Sequence, residues 1–279
     1  VDFQDARESA QTQESTRLIS SDSTTPELPS TTSSDTEEDL PTLVDNAEPV
    51  TRAVDPVSTN SGRIIQIHTD VLQLAIDLEG GDIIELDLPK YLAKIDQPEP
   101  YVILEQNQTR TYIAQSGLIG TDGIDKNGRP TYTATSSIYT LPENENELVV
   151  KLQYQNDAGV KVTKQYTLQR GDYLINIDFL IENGSDTRWQ ANLFGQLKRD
   201  NSPQPSSGSS GGMGLQPFLG AATTQPDDHF TKFTFQDMAE EPFKATLPGG
   251  WIAMIQHYFL SAWIPDPAQN HTYSTRTTS

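Results

Sequence analysis

The chain has 279 residues, no cysteine, and a formal charge of −20 from 19 basic and 39 acidic side chains. That balance excludes a protein that coats nucleic acid, where Lys and Arg must displace counterions from phosphate, and a basic peripheral protein of an anionic membrane face. Zero Cys removes disulfide frameworks, thiolate zinc sites, iron–sulfur clusters and thiol catalysis.

Residues 1–61 hold 13 of the 39 acids, the three bases Arg7, Arg17 and Arg52, and 20 Ser or Thr. Their net charge is −10, and Phe3 is their one aromatic residue. Runs such as Asp35-Thr36-Glu37-Glu38-Asp39 bury too little apolar surface to offset chain entropy of about 1–2 kcal/mol per residue. This composition predicts a disordered, self-repelling acidic linker. Val stands at position 1, with no basic and apolar leader behind it, so the chain reads as a fragment of a longer protein. Its longest apolar stretch, Trp251 to Ile264, is shorter than the ~20 residues of a spanning helix.

Residues 62–279 carry 21 of the 22 aromatics, with 26 acids against 16 bases. Their pattern is mostly of period two. Leu72, Leu74, Ile76 and Leu78 alternate with Gln73, Ala75 and Asp77; after Gly80-Gly81, Ile84, Leu86 and Leu88 alternate again. Val150, Leu152 and Tyr154 lead into Asn156-Asp157-Ala158-Gly159, and Val160, Val162, Tyr166 and Leu168 leave it, which predicts a hairpin. Tyr173, Ile175, Ile177, Phe179 and Ile181 follow as a further strand, then Trp189–Leu197 and Phe230–Phe235. Ser202 to Gly214 is rich in Ser, Gly and Pro and reads as a mobile excursion. Without a 3.6-residue apolar stripe of helical length, this pattern predicts an all-β antiparallel sandwich.

Chemistry-bearing motifs are sparse. The histidines His68, His229, His257 and His271 share no short spacing, so no His-x3-His metal motif forms. Asp122 to Gly128 departs from the calcium-loop spacing and reads as a turn. Asp227-Asp228 and Glu240-Glu241 are neighbours in sequence, which point to opposite faces if extended. The densest apolar stretch, Trp251 to Pro265, reads as two buried strands or as the wall of a cleft, with Trp251, Tyr258 and Trp263 as candidate cleft aromatics.

Several segments resemble one family in order. They are Thr69-Asp70-Val71-Leu72, Gly80-Gly81-Asp82, Leu88-Pro89-Lys90-Tyr91, Ala114-Gln115-Ser116-Gly117-Leu118 with Asp122-Gly123, and Leu168 to Tyr173. Phe194 to Lys198, Gly220-Ala221-Ala222, Lys232 to Phe235 and the long block Gly249 to Pro265 follow. Together they span about residues 64–265 and resemble the large periplasmic domain of the YidC membrane protein insertase family of Gram-negative bacteria. The resemblance implies a β-supersandwich of the galactose-mutarotase type behind a variable linker, at the periplasmic side of the inner membrane. It implies no cofactor and no catalysis. The family inserts and folds inner-membrane proteins, alone or with SecYEG and SecDF. This chain holds none of the family's membrane region and ends at Ser279, where members continue with further strands; its terminal edge is expected to lack a pairing strand.

The resemblance places the contact with SecDF within about Phe218 to Gly250, so Phe218, Asp227, Asp228, Lys232 and Phe233 are the candidate contact residues. Two alternatives stay open. A carbohydrate- or peptide-binding module would use the aromatics Trp251, Tyr258 and Trp263. A sugar epimerase would need a His and a carboxylate facing one sugar carbon, and a shared fold does not carry that function.

Overall fold

The computed structural model describes residues 62–94, 98–202, 218–225, 228–256 and 258–278. The acidic linker over 1–61, all but the first residue of the excursion from Ser202 to Gly214, Asp227 and His257 lie outside them. In chain order the strands are β1 (Ile64–His68), β2 (Gln73–Asp77), β3 (Asp82–Leu92), β4 (Pro100–Gln106), β5 (Thr111–Ile119), β6 (Ile138–Thr140), β7 (Glu147–Gln155) and β8 (Val160–Gln169). There follow β9 (Ile175–Asn183), β10 (Asn192–Arg199), β11 (Gly220–Thr223) and β12 (Thr231–Phe233). The short helix α1 (Phe235–Glu240) precedes β13 (Lys244–Pro248), β14 (Ile252–Gln256), β15 (Phe259–Trp263) and β16 (Asn270–Ser274).

These strands form a seven-stranded sheet in the order β10-β5-β4-β3-β2-β1-β6, a three-stranded sheet β7-β8-β9, a four-stranded sheet β12-β11-β14-β15, and the pair β13-β16. The architecture is an all-β sandwich of antiparallel sheets, with one parallel strand pairing among the described residues, β1 with β6. One apolar core joins the layers. Ile65, Ile67, Leu74 and Leu104 come from the seven-stranded sheet, Val150, Leu152, Tyr166 and Leu168 from the three-stranded one, and Ala221 and Met254 from the four-stranded one.

The β7–β8 hairpin forms as its alternation predicts, paired in register from Glu147↔Gln169 to Gln155↔Lys161. Trp251 to Pro265 contains two strands, β14 and β15, paired from Ile252↔Trp263 to Gln256↔Phe259. Phe259 anchors that hairpin, with its ring 4.4 Å from Tyr101 and 5.2 Å from Tyr91.

Three segments differ from the simple alternation. The pairing of β2 with β3 jumps from Ile76↔Ile83 to Ala75↔Glu85. Ile84 is the extra residue of this bulge, and it turns Ile83 into the core position. The strand expected from Trp189 begins at Asn192. The run Phe230–Phe235 holds only three strand residues before α1 starts. There Thr234 Oγ1 accepts the N–H of Asp237 at 3.1 Å, and the Asp237 carboxylate accepts the N–H of Thr234 at 2.8 Å. This reciprocal cap satisfies helix N–H groups that a strand would have spent on a neighbour. These hydrogen bonds hold the Asp237 carboxyl below its ordinary pKa.

Candidate interaction face

The candidate residues within the described segments fall on the four-stranded sheet and its turns. In β12, alternate side chains take opposite faces. Phe233, paired with Ala221, joins the core and packs 5.0 Å from the ring of Phe243. Lys232, paired with Ala222, is exposed, and its ammonium lies 5.0 Å from the Phe218 ring and 5.2 Å from the Phe230 ring. Phe230 in turn lies 5.8 Å from Trp251. Phe218, Phe230, Lys232 and Trp251 thus come together from three chain segments, each just before or within β11, β12 and β14. Attraction between an exposed cation and an aromatic face is worth about 0.5–1 kcal/mol, which keeps the group arranged without burying it.

Asp228 builds the approach to this face. Its carboxylate accepts the N–H of Phe230 at 3.1 Å and the hydroxyl of Thr231 at 3.0 Å, and its carbonyl accepts the N–H of Gln225 at 2.8 Å. Its role is therefore to shape the turn that presents Phe230. The remaining two aromatics lie elsewhere. Tyr258 sits at the tip of the β14–β15 hairpin, 79% exposed. Trp263 lies flat over Gly195 of β10, so close that a Cβ there would stand 2.8 Å from its ring. Trp251, Tyr258 and Trp263 do not share one wall. Phe230, whose sequence pattern predicts only a strand residue, is what links Trp251 to Lys232.

A second set of residues was not legible as a group. Behind the β2–β3 turn, Arg129 pairs with Asp82 and, at 2.5 Å, with Asp125. Its Nη2 also donates to the carbonyls of Gly80 and Ser116, each at 3.1 Å. The Lys164 ammonium, from the three-stranded sheet, donates to the same two carbonyls at 3.0 and 2.9 Å. Lys164 is 0% exposed and Asp125 1%. Burial pulls the Lys164 ammonium down to about 7 and pushes the carboxyls of Asp82 and Asp125 up, against the opposing pull of the neighbouring charges. Gly80 has φ +79°, and a Cβ there would lie 2.3 Å from Arg129 Nε, so glycine alone fits. The cluster carries the pKa pattern of catalytic sites. Lys164, however, is enclosed and committed to two carbonyls, so the set acts as a polar clamp between the seven- and three-stranded sheets.

The loop from Asp122 to Gly128 spends its carboxylates on protein donors. Asp122 accepts the N–H of Gln190 at 2.8 Å, and Asp125 accepts that of Leu118 at 2.7 Å. His68 lies in β1, His229 ahead of β12 and His271 in β16, on three separate elements.

Comparison with known proteins supplies the context for this geometry. The family model described as the YidC periplasmic domain matches residues 64–279. The chain is 42% identical over 276 residues to a membrane protein insertase YidC of Marinomonas sp., covering 98% of this chain and 47% of that protein. It is 42% identical over 253 residues to the corresponding protein of Stutzerimonas stutzeri, covering 90% and 44%. For that of Pseudomonas aeruginosa the identity is 40% over 278 residues, covering 91% and 47%. The chain spans about half the length of the curated relatives it matches. It belongs to the YidC periplasmic domain family.

Proposed function

We propose that this chain is the non-catalytic recognition domain of a membrane protein insertase, aiding the insertion and folding of inner-membrane proteins through surface contacts with Sec translocon components. The domain is periplasmic, and its family is one of membrane protein insertases, which is not a catalytic class. In this reading residues 1–61 serve as an acidic linker and residues 62–279 as the folded module. SecDF docks on the face built by Phe218, Phe230, Lys232 and Trp251, while SecYEG and inserting substrates meet the assembled protein.

The observation that carries the reading is the exposure of Phe230 and Lys232 together. Phe230 is 48% exposed, and Lys232 has no carboxylate partner among the described residues. Aromatic side chains anchor protein interfaces disproportionately, each worth about 2 kcal/mol or more at a hot spot. A rigid sheet that presents such anchors without an internal use for them suits docking.

The test is retention of detergent-solubilised SecDF by the 279-residue chain, compared with Phe230→Ala/Lys232→Ala. Retention should fall about tenfold or more while the melting temperature stays unchanged. Undiminished retention by the folded variant would remove this face from the reading. Failure of the unaltered chain to retain SecDF would remove the partner.

A further inference from the structure

Away from the docking face, the loop before Pro130, the β7–β8 turn and the segment ahead of β10 line an open cavity of about 500 Å³. That volume suits a small ligand, for which sites of roughly 300–1,000 Å³ are usual. Its charge runs against the rest of the fold. Residues 62–279 hold 26 acids and 16 bases, yet the cavity wall holds the bases Lys126, Arg129 and Arg188 and the single acid Asp122.

Asp122 is engaged by the Gln190 N–H, and Arg129 by Asp82 and Asp125. Lys126 gives one hydrogen to the Thr121 carbonyl at 2.7 Å, leaving two. Arg188 makes no side-chain hydrogen bond or ion pair among the described residues. The wall therefore offers a surplus of donors and positive charge with no acceptor among the described residues to match it. Trp189 and Tyr154 add aromatic faces. Gly128, with φ +117° and nothing within 4 Å of where a Cβ would stand, leaves room for a ligand against the backbone.

We propose that this cavity binds a compact oxyanion of the phosphate-ester class, with Arg188 and Lys126 holding the anion. Guanidinium and phosphate match in geometry as well as charge. Two sources supply this chemistry at a periplasmic membrane face: a soluble phosphate ester, or the phosphoglycerol headgroup of a lipid.

The experiment uses the 279-residue chain, the double variant Lys126→Ala/Arg188→Ala, and a charge-matched control, Lys151→Ala/Lys161→Ala, on exposed positions of β7 and β8. Calorimetric titration with glycerol 1-phosphate is expected to give saturable, salt-sensitive binding that weakens about tenfold or more in the double variant and not in the control. Flotation with phosphatidylglycerol vesicles, but not phosphatidylcholine vesicles, would assign the lipid source. Binding of the soluble ester without flotation would assign the free one. The proposal is overturned if no phosphate compound or phosphatidylglycerol vesicle binds, if neutral maltose binds as well as the ester, if phosphatidylcholine vesicles float the chain equally, or if binding survives the double variant.

Discussion

Replacing Arg129 with Met should be the most damaging single change to the fold. The methionine keeps much of the aliphatic stem but removes the guanidinium that pairs with Asp82 and Asp125 and donates to the Gly80 and Ser116 carbonyls. Lys164 still serves both carbonyls, so the loss falls on the two carboxylates. Asp125 is 1% exposed and Asp82 5%, so water cannot take over. Removing one partner of a buried ion pair costs about 3–5 kcal/mol. For a domain of this size that lowers the melting temperature by roughly 6–20 °C. The deficit has a pH signature. Burial already raises both carboxyls above their unfolded value of 3.8, and losing Arg129 raises them further. A group whose folded pKa is raised binds more protons folded than unfolded between the two values, so stability falls as pH rises through that window. The Arg129→Met deficit should therefore be full at pH 7 and shrink toward pH 4, read by urea denaturation at each pH. A loss below about 1 kcal/mol at pH 7, or one that does not shrink on acidification, would refute the clamp.

Lys164→Met should show its pH dependence in a higher window. The folded ammonium titrates near 7 and the unfolded one near 10.5, so the unaltered chain gains stability as pH rises between them, and the variant should lose that gain in parallel denaturation curves. Asp87 is pushed up to about 6 by burial and by Glu85 and Glu105. Asp87→Asn should stabilise the fold above pH 6 by at most about 1 kcal/mol after solvent screening, with a carboxyl carbon resonance midpoint near 6 in the unaltered chain. Gly195→Ala places a Cβ 2.8 Å from the Trp263 ring. It should cost about 1–3 kcal/mol by overpacking and shift tryptophan fluorescence to the red.

The sandwich was legible because burial imposes period two on strands, most plainly in β7 and β8. The same rule hid Lys164. Val160, Val162, Tyr166 and Leu168 mark an inward row, and position 164 lies on it, yet a lysine does not read as a core residue until its partners are known. Those partners, the carbonyls of Gly80 and Ser116, are 84 and 48 residues away, so no local pattern joins them. The bulge at Ile84 broke the phase of β3 for a related reason: register is set by the partner strand. In the candidate face, Lys232 and Phe233 were both in view, but only the β12 pairing with Ala221 and Ala222 separates the exposed side from the core side. The short helix had a local signal, Thr234 followed three residues later by Asp237, which the alternation of the preceding strand masked.

In the proposed function, SecDF docks on the surface around Phe230. A photo-crosslinking phenylalanine at position 230, compared with one at exposed Leu180 on the three-stranded sheet, tests it in living cells. Crosslinks to SecDF from position 230 and none from position 180 are expected. Equal crosslinking at both positions, or crosslinks from 180 alone, would contradict it.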